Sequence, residues 1–67
     1  MLKRKRRLLR LHLEGNQPSI EGVFLGFEAG HYRIANGKLI EAPDRSLPLE
    51  GESWVPRERV LHAQVLG

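Results

Sequence analysis

A chain of 67 residues with no cysteine makes one small domain at most, and neither a disulfide nor a thiolate metal centre can staple it. Its 11 Lys and Arg and 8 Asp and Glu are unevenly placed: six basic residues fall within the first ten positions, leaving 5 basic against 8 acidic after them, a +6 arm on a −3 body. A polyanion is attracted to such an arm and repelled by such a body, and no apolar run approaches the length that crosses a bilayer.

The arm, residues 1–8, holds Lys3, Arg4, Lys5, Arg6 and Arg7, and Arg10 follows just inside the domain expected over 9–67. Only residues 2–11 have a spacing compatible with a short helix, and Arg10, His12 and Glu14 interrupt the apolar stretch that a secretory leader needs. From Leu9 the side chains alternate, with Leu9, Leu11 and Leu13 on one side and Arg10, His12 and Glu14 on the other, which predicts a half-buried strand. The turn formers Gly15 to Ser19 lead to a second strand, Ile20 to Phe27. Strict alternation puts Ile20 and Phe24 on one face of it and Val23, Leu25 and Phe27 on the other, and Gly22 and Gly26 mark bulges or bends that let a small sheet curl. A turn at Glu28-Ala29-Gly30 precedes the runs His31–Ala35 and Lys38–Ala42, which Asn36-Gly37 is expected to join as a hairpin, since both residues tolerate positive φ. Residues 43–53, rich in proline and acid, read as a long loop; Trp54-Val55-Pro56 re-enters the core, Pro56 to Arg59 forms one helical turn, and Val60 to Leu66 is a last strand. That strand is apolar on both faces, as suits one lying between two neighbours.

Five short strands with the run Ser53-Trp54-Val55-Pro56-Arg57-Glu58-Arg59-Val60 resemble a Src-homology-3-like small barrel, a family in which an apolar residue and proline precede a single 3₁₀ turn and a valine. Ile20-Glu21-Gly22-Val23-Phe24-Leu25-Gly26-Phe27-Glu28 is similar to the first motif of Sm-like RNA-binding proteins, although the asparagine that contacts bases has no counterpart near His31 or Tyr32. Short basic-armed barrels also resemble accessory proteins of tailed bacteriophages. These resemblances imply an all-β fold, a five-stranded barrel with a basic N-terminal arm, and a virion accessory or minor capsid role. The setting they imply is the virion if the chain is phage-encoded and the cytoplasm otherwise.

The side chains point to contact rather than reaction. Lys3, Arg4, Lys5, Arg6, Arg7 and Arg10 are the candidates for contact with an acidic surface or nucleic acid, DNA or RNA. Tyr32, between His31 and Arg33, is the candidate for base stacking, and a peptide groove would need Tyr32 and Trp54 exposed together. His12, His31 and His62 fall on three different strands without ligand spacing and read as surface histidines, so neither a metal nor another cofactor is expected. Asp44, Glu50, Glu52 and Glu58 read as a solvated rim, and Ser19, Ser46 and Ser53 sit in no activating motif. The expectation is a non-enzymatic protein that docks on a larger assembly or on copies of itself, with an Sm-like RNA-binding module as the alternative and no membrane partner.

Overall fold

The computed structural model describes residues 6–67; Lys3, Arg4 and Lys5 of the arm lie outside the described residues. The elements are β1 (Arg7–Leu13), β2 (Ser19–Glu28), β3 (His31–Ala42), β4 (Arg45–Pro48), β5 (Glu52–Pro56), a 3₁₀ turn over Arg57–Arg59, and β6 (Val60–Val65). Leu9 and Leu11 alternate into the interior, as their spacing predicts, and β1 also takes in Arg7 and Leu8. The turn from β2 to β3 is made by Ala29 and Gly30, whose φ angles of 51° and 73° meet the requirement of a type I′ turn.

Asn36-Gly37 does not make a hairpin. Strand β3 runs unbroken for 12 residues, and β2 pairs with it along its length. Glu21 pairs with Lys38 and Val23 with Ala35, so Asn36 and Gly37 together oppose Gly22, with Asn36 at φ 51°. The left-handed backbone that makes Asn-Gly a turn signal serves a bulge equally well. The missing Cβ of Gly22 makes room for it: a Cβ there would lie 2.8 Å from the Ala35 carbonyl oxygen and 3.0 Å from Gly37 Cα, and closer still to Ile34 Cγ2. A second bulge leaves Leu25 unopposed between the pairs Phe24 with Ile34 and Gly26 with Arg33. It resets the alternation, so Phe27 pairs with Tyr32 and joins Phe24 on the face of Ile34 instead of the opposite one.

The expected barrel is also corrected. Among the described residues the sheet has six strands, not five, in the order β4-β3-β2-β1-β6 with β5 on β3, and it does not close. Strand β3 is long enough to hold β5 along His31–Ala35 and β4 along Lys38–Ala42, so part of the expected long loop is a strand. Strand β5 is paired with β3 up to Pro56, where the 3₁₀ turn carries the chain across to β1. Barrel closure requires the last strand to pair on both sides; β6 pairs with β1 only, among the described residues. An open sheet supports neither the Src-homology-3-like nor the Sm-like assignment.

The curl gathers Leu9 and Leu11 of β1, Ile34 of β3 and Val55 of β5 into one buried cluster, fringed by Leu13, Ile20, Phe24, Tyr32 and Val60. With four buried apolar side chains at its centre, each is a large share of the cohesion. Overpacking the bulge contact through Gly22→Ala lowers the unfolding free energy by about 1–3 kcal/mol. Asn36→Gly, which keeps the left-handed backbone, leaves it nearly unchanged. Urea denaturation reads this contrast, and an unaffected Gly22→Ala variant contradicts the close approach.

Candidate docking edge

Strand β6 is the most exposed apolar element of the described residues. Its sequence, Val60-Leu61-His62-Ala63-Gln64-Val65, carries no formal charge and no proline, the usual devices that protect a free strand edge. One side of it is bonded to β1; the other is unpaired among the described residues. Leu61 is 71% exposed and Val65 54%. The first follows from a register shift: Leu13 pairs with Val60 and His12 with His62, which leaves Leu61 unopposed. The second faces the core side opposite Leu9, but nothing among the described residues covers it.

The charged start of β1 lies at the C-terminal end of this edge. The Leu66 amide donates to the Leu8 carbonyl at 2.8 Å and the Leu8 amide to the Gly67 carbonyl at 3.4 Å. Arg7, the first residue of β1, and Arg6 before it, both exposed, therefore lie at the end of the sheet near exposed Leu8, Val65 and Leu66, so positive charge borders these apolar side chains. Arg10 is differently placed. Its guanidinium is bound to its cross-strand neighbour Glu21, with Nη2 at 2.7 Å and Nε at 3.1 Å from Oε1, so an outside anion must compete with a partner already in contact.

Tyr32 belongs to the fringe of the core, with its ring 4.4 Å from that of Phe27 and 6.0 Å from that of Phe24. Trp54 is 45% exposed and borders a groove of about 210 Å³ floored by Leu13, Ile20, Val55 and Pro56, whereas Tyr32 borders a separate hollow with Phe27 and Arg57. The two aromatics do not share a peptide groove. On the opposite face of β3, Arg33 donates to Glu52 at 2.6 Å and 3.1 Å, lies 3.6 Å from Glu28, and stands 5.9 Å from the Trp54 ring centre. Glu52 also accepts from the indole N–H of Trp54.

The other expected rim carboxylates do not converge: Glu58 is in the 3₁₀ turn, Asp44 in the turn before β4 and Glu50 before β5. No group of three or more His, Cys, Asp or Glu side chains is arranged to hold a metal ion among the described residues. Two of the histidines, however, are brought together. His12 and His62 are cross-strand partners whose rings stack at 4.3 Å between centroids. Nothing in their separation along the chain announces this, because only the β1–β6 register makes them neighbours. The free edge is hidden in the sequence for a similar reason, since Val60–Val65 reads equally well as a strand with two neighbours. No helix of the described residues is long and apolar enough to cross a membrane.

Compared with known proteins, the chain matches no family model, no curated protein and no solved structure. The resemblance to phage accessory and capsid proteins is left without support, as the barrel resemblances are by the open sheet.

The hydrogen bond from Arg33, then that from Trp54, holds the Glu52 carboxyl below its ordinary value, and the same contact with Glu52 raises Arg33. A carboxyl depressed in the folded state adds stability that is present above its unfolded value and is lost as the pH falls through the folded one. Thermal melts of the wild type should therefore fall on acidification below the ordinary carboxylate range. Glu52→Gln should flatten that part of the curve, and a curve unchanged by the substitution rules the link out. The site is solvent-exposed, so the effect is small and shrinks with added salt.

Proposed function

We propose that this chain is a non-enzymatic docking protein that adds its β6 edge to a free strand edge on a larger protein assembly. In this reading the arm of Lys3, Arg4, Lys5, Arg6 and Arg7 lies on an acidic surface beside that edge, with nucleic acid held by the same assembly as the other polyanion it fits. The adjacency of the two features carries the reading: an uncharged strand whose outer edge is unpaired among the described residues, carrying exposed Leu61 and Val65 and bordered by exposed Leu8 and Leu66, ends beside Arg6 and Arg7. Strand addition supplies affinity through backbone hydrogen bonds, which need no particular side chain. Burial of the flanking apolar residues adds roughly 25 cal/mol for each Å² removed from water. The arm then sets orientation and speeds encounter, a salt-sensitive contribution that acts before the edges meet. The small core makes the same point energetically, because a domain of this size gains much from burying surface against a neighbour.

Velocity sedimentation of the native source with mass spectrometry tests the reading. The wild type should travel with a large assembly and cross-link to it through residues flanking β6. Val65→Lys should leave that fraction while keeping its affinity for heparin. A variant with the five arm cations replaced by glutamine should lose heparin binding and its salt dependence but remain partly with the assembly. Undiminished recovery of Val65→Lys in the heavy fraction overturns the edge, and association that follows the arm alone and is abolished by nuclease assigns the partner to nucleic acid.

A further inference from the structure

The outer face of the β2, β1 and β6 strands carries a compact polar grid. Ser19, His12 and His62 form one row across the three strands, and Glu21, Arg10 and Gln64 form the next. The imidazoles of His12 and His62 stack with 18° between their planes. His12 is held at both ring nitrogens: Nδ1 lies 3.4 Å from Ser19 Oγ and Nε2 lies 3.0 Å from Gln64 Oε1. With Nδ1 turned to the serine, Nε2 is directed along the sheet towards β6, the orienting role that supporting contacts play for histidine ligands.

We propose that His12 and His62 form a two-imidazole chelate for a borderline divalent transition ion, Cu²⁺ or Zn²⁺, on this outer face. Imidazole nitrogen suits both ions, and among divalent first-row metals Cu²⁺ binds such donors most tightly. A tetrahedral Zn²⁺ with metal–nitrogen bonds of about 2.1 Å needs its two nitrogens roughly 3.4 Å apart, and a tetragonal Cu²⁺ with cis ligands needs them roughly 3 Å apart. The rings stack at 4.3 Å with their in-plane lone pairs side by side, so binding turns the exposed His62 ring about its side-chain torsions until one of its nitrogens converges with Nε2 of His12 on the ion. The ion takes the place of the proton that Nε2 directs at the Gln64 side-chain oxygen, the imidazole proton moving to Nδ1, where it faces Ser19 Oγ; the Gln64 oxygen remains near as a third donor, and water completes the coordination. Arg10, in the next row of this face, is already paired with Glu21, which reduces its opposition to the incoming charge. Because one ligand is on β1 and the other on the edge strand β6, the ion ties that strand to the sheet in a chain that has no disulfide to do so.

Isothermal titration of the full-length chain with CuCl₂, and separately with ZnCl₂, tests the site. The expected result is one tight Cu²⁺ per wild-type chain, with nitrogen hyperfine structure from two imidazoles in the electron paramagnetic resonance spectrum. His12→Gln and His62→Gln should each weaken binding by more than the roughly tenfold to hundredfold that loss of a supporting contact costs. His31→Gln should behave as the wild type. Saturating Zn²⁺ should raise the melting temperature of the wild type and of His31→Gln but not of the other two variants, whose metal-free melts establish that they fold. Wild-type binding no tighter than that of His62→Gln, or an equal loss in His31→Gln, overturns the proposal.

Discussion

The approach of β2 to β3 at Gly22 is the contact on which the rest of the structure depends. There the backbone of β3 bulges at Asn36 and Gly37, and the space a side chain would fill is taken by Ile34, Ala35 and Gly37. Bulges bend and twist the strand that carries them. Two of them within one strand pair, the second at Leu25 and Gly26, turn a flat ladder into a curl. That curl brings Ile34 of β3 over Leu9 and Leu11 of β1, and β5, which rides on β3, delivers Val55 to the same cluster. Without it, strands separated by the width of β2 could not share a core.

The length of β3 decides where the sheet ends. A strand of 12 residues offers its outer side to two shorter strands in turn, and β4 and β5 divide it between them. Both are therefore spent on β3, and after Pro56 the chain has only the 3₁₀ turn in which to cross to β1. It arrives as β6 on the far side of β1, with no strand left in the described residues to pair with its outer edge. An open sheet of this kind exchanges closure for a free row of backbone donors and acceptors, which a partner strand can complete.

Charge follows the same geometry. The cationic start of β1 emerges at the C-terminal end of the free edge, and Arg10 one turn of the pleat further in is neutralised across the strands by Glu21. Arg33, half-exposed beside Glu28, Glu52 and Trp54, is likewise occupied within the molecule. Arg6 and Arg7 are exposed, and the reading of the chain as a docking protein turns on their place beside β6.

The amino-acid sequence by itself determined the extended runs of β1, β2 and β6 and the turn at Ala29-Gly30, but left β4 within a loop. Alternation in Leu9 to Leu13, the turn residues Ala29 and Gly30, and proline ahead of a single 3₁₀ turn are local signals, settled by the backbone preferences of neighbouring residues. Only the tertiary structure decided the use of Asn36-Gly37 as a bulge, the reversal that places Phe27 with Phe24, the open edge at β6 and the meeting of His12 with His62. The physical reason is common to all four. Positive φ at a residue, or apolar side chains on both faces of a strand, fits more than one arrangement at nearly equal local energy, and the choice is made by pairing partners that lie far apart along the chain.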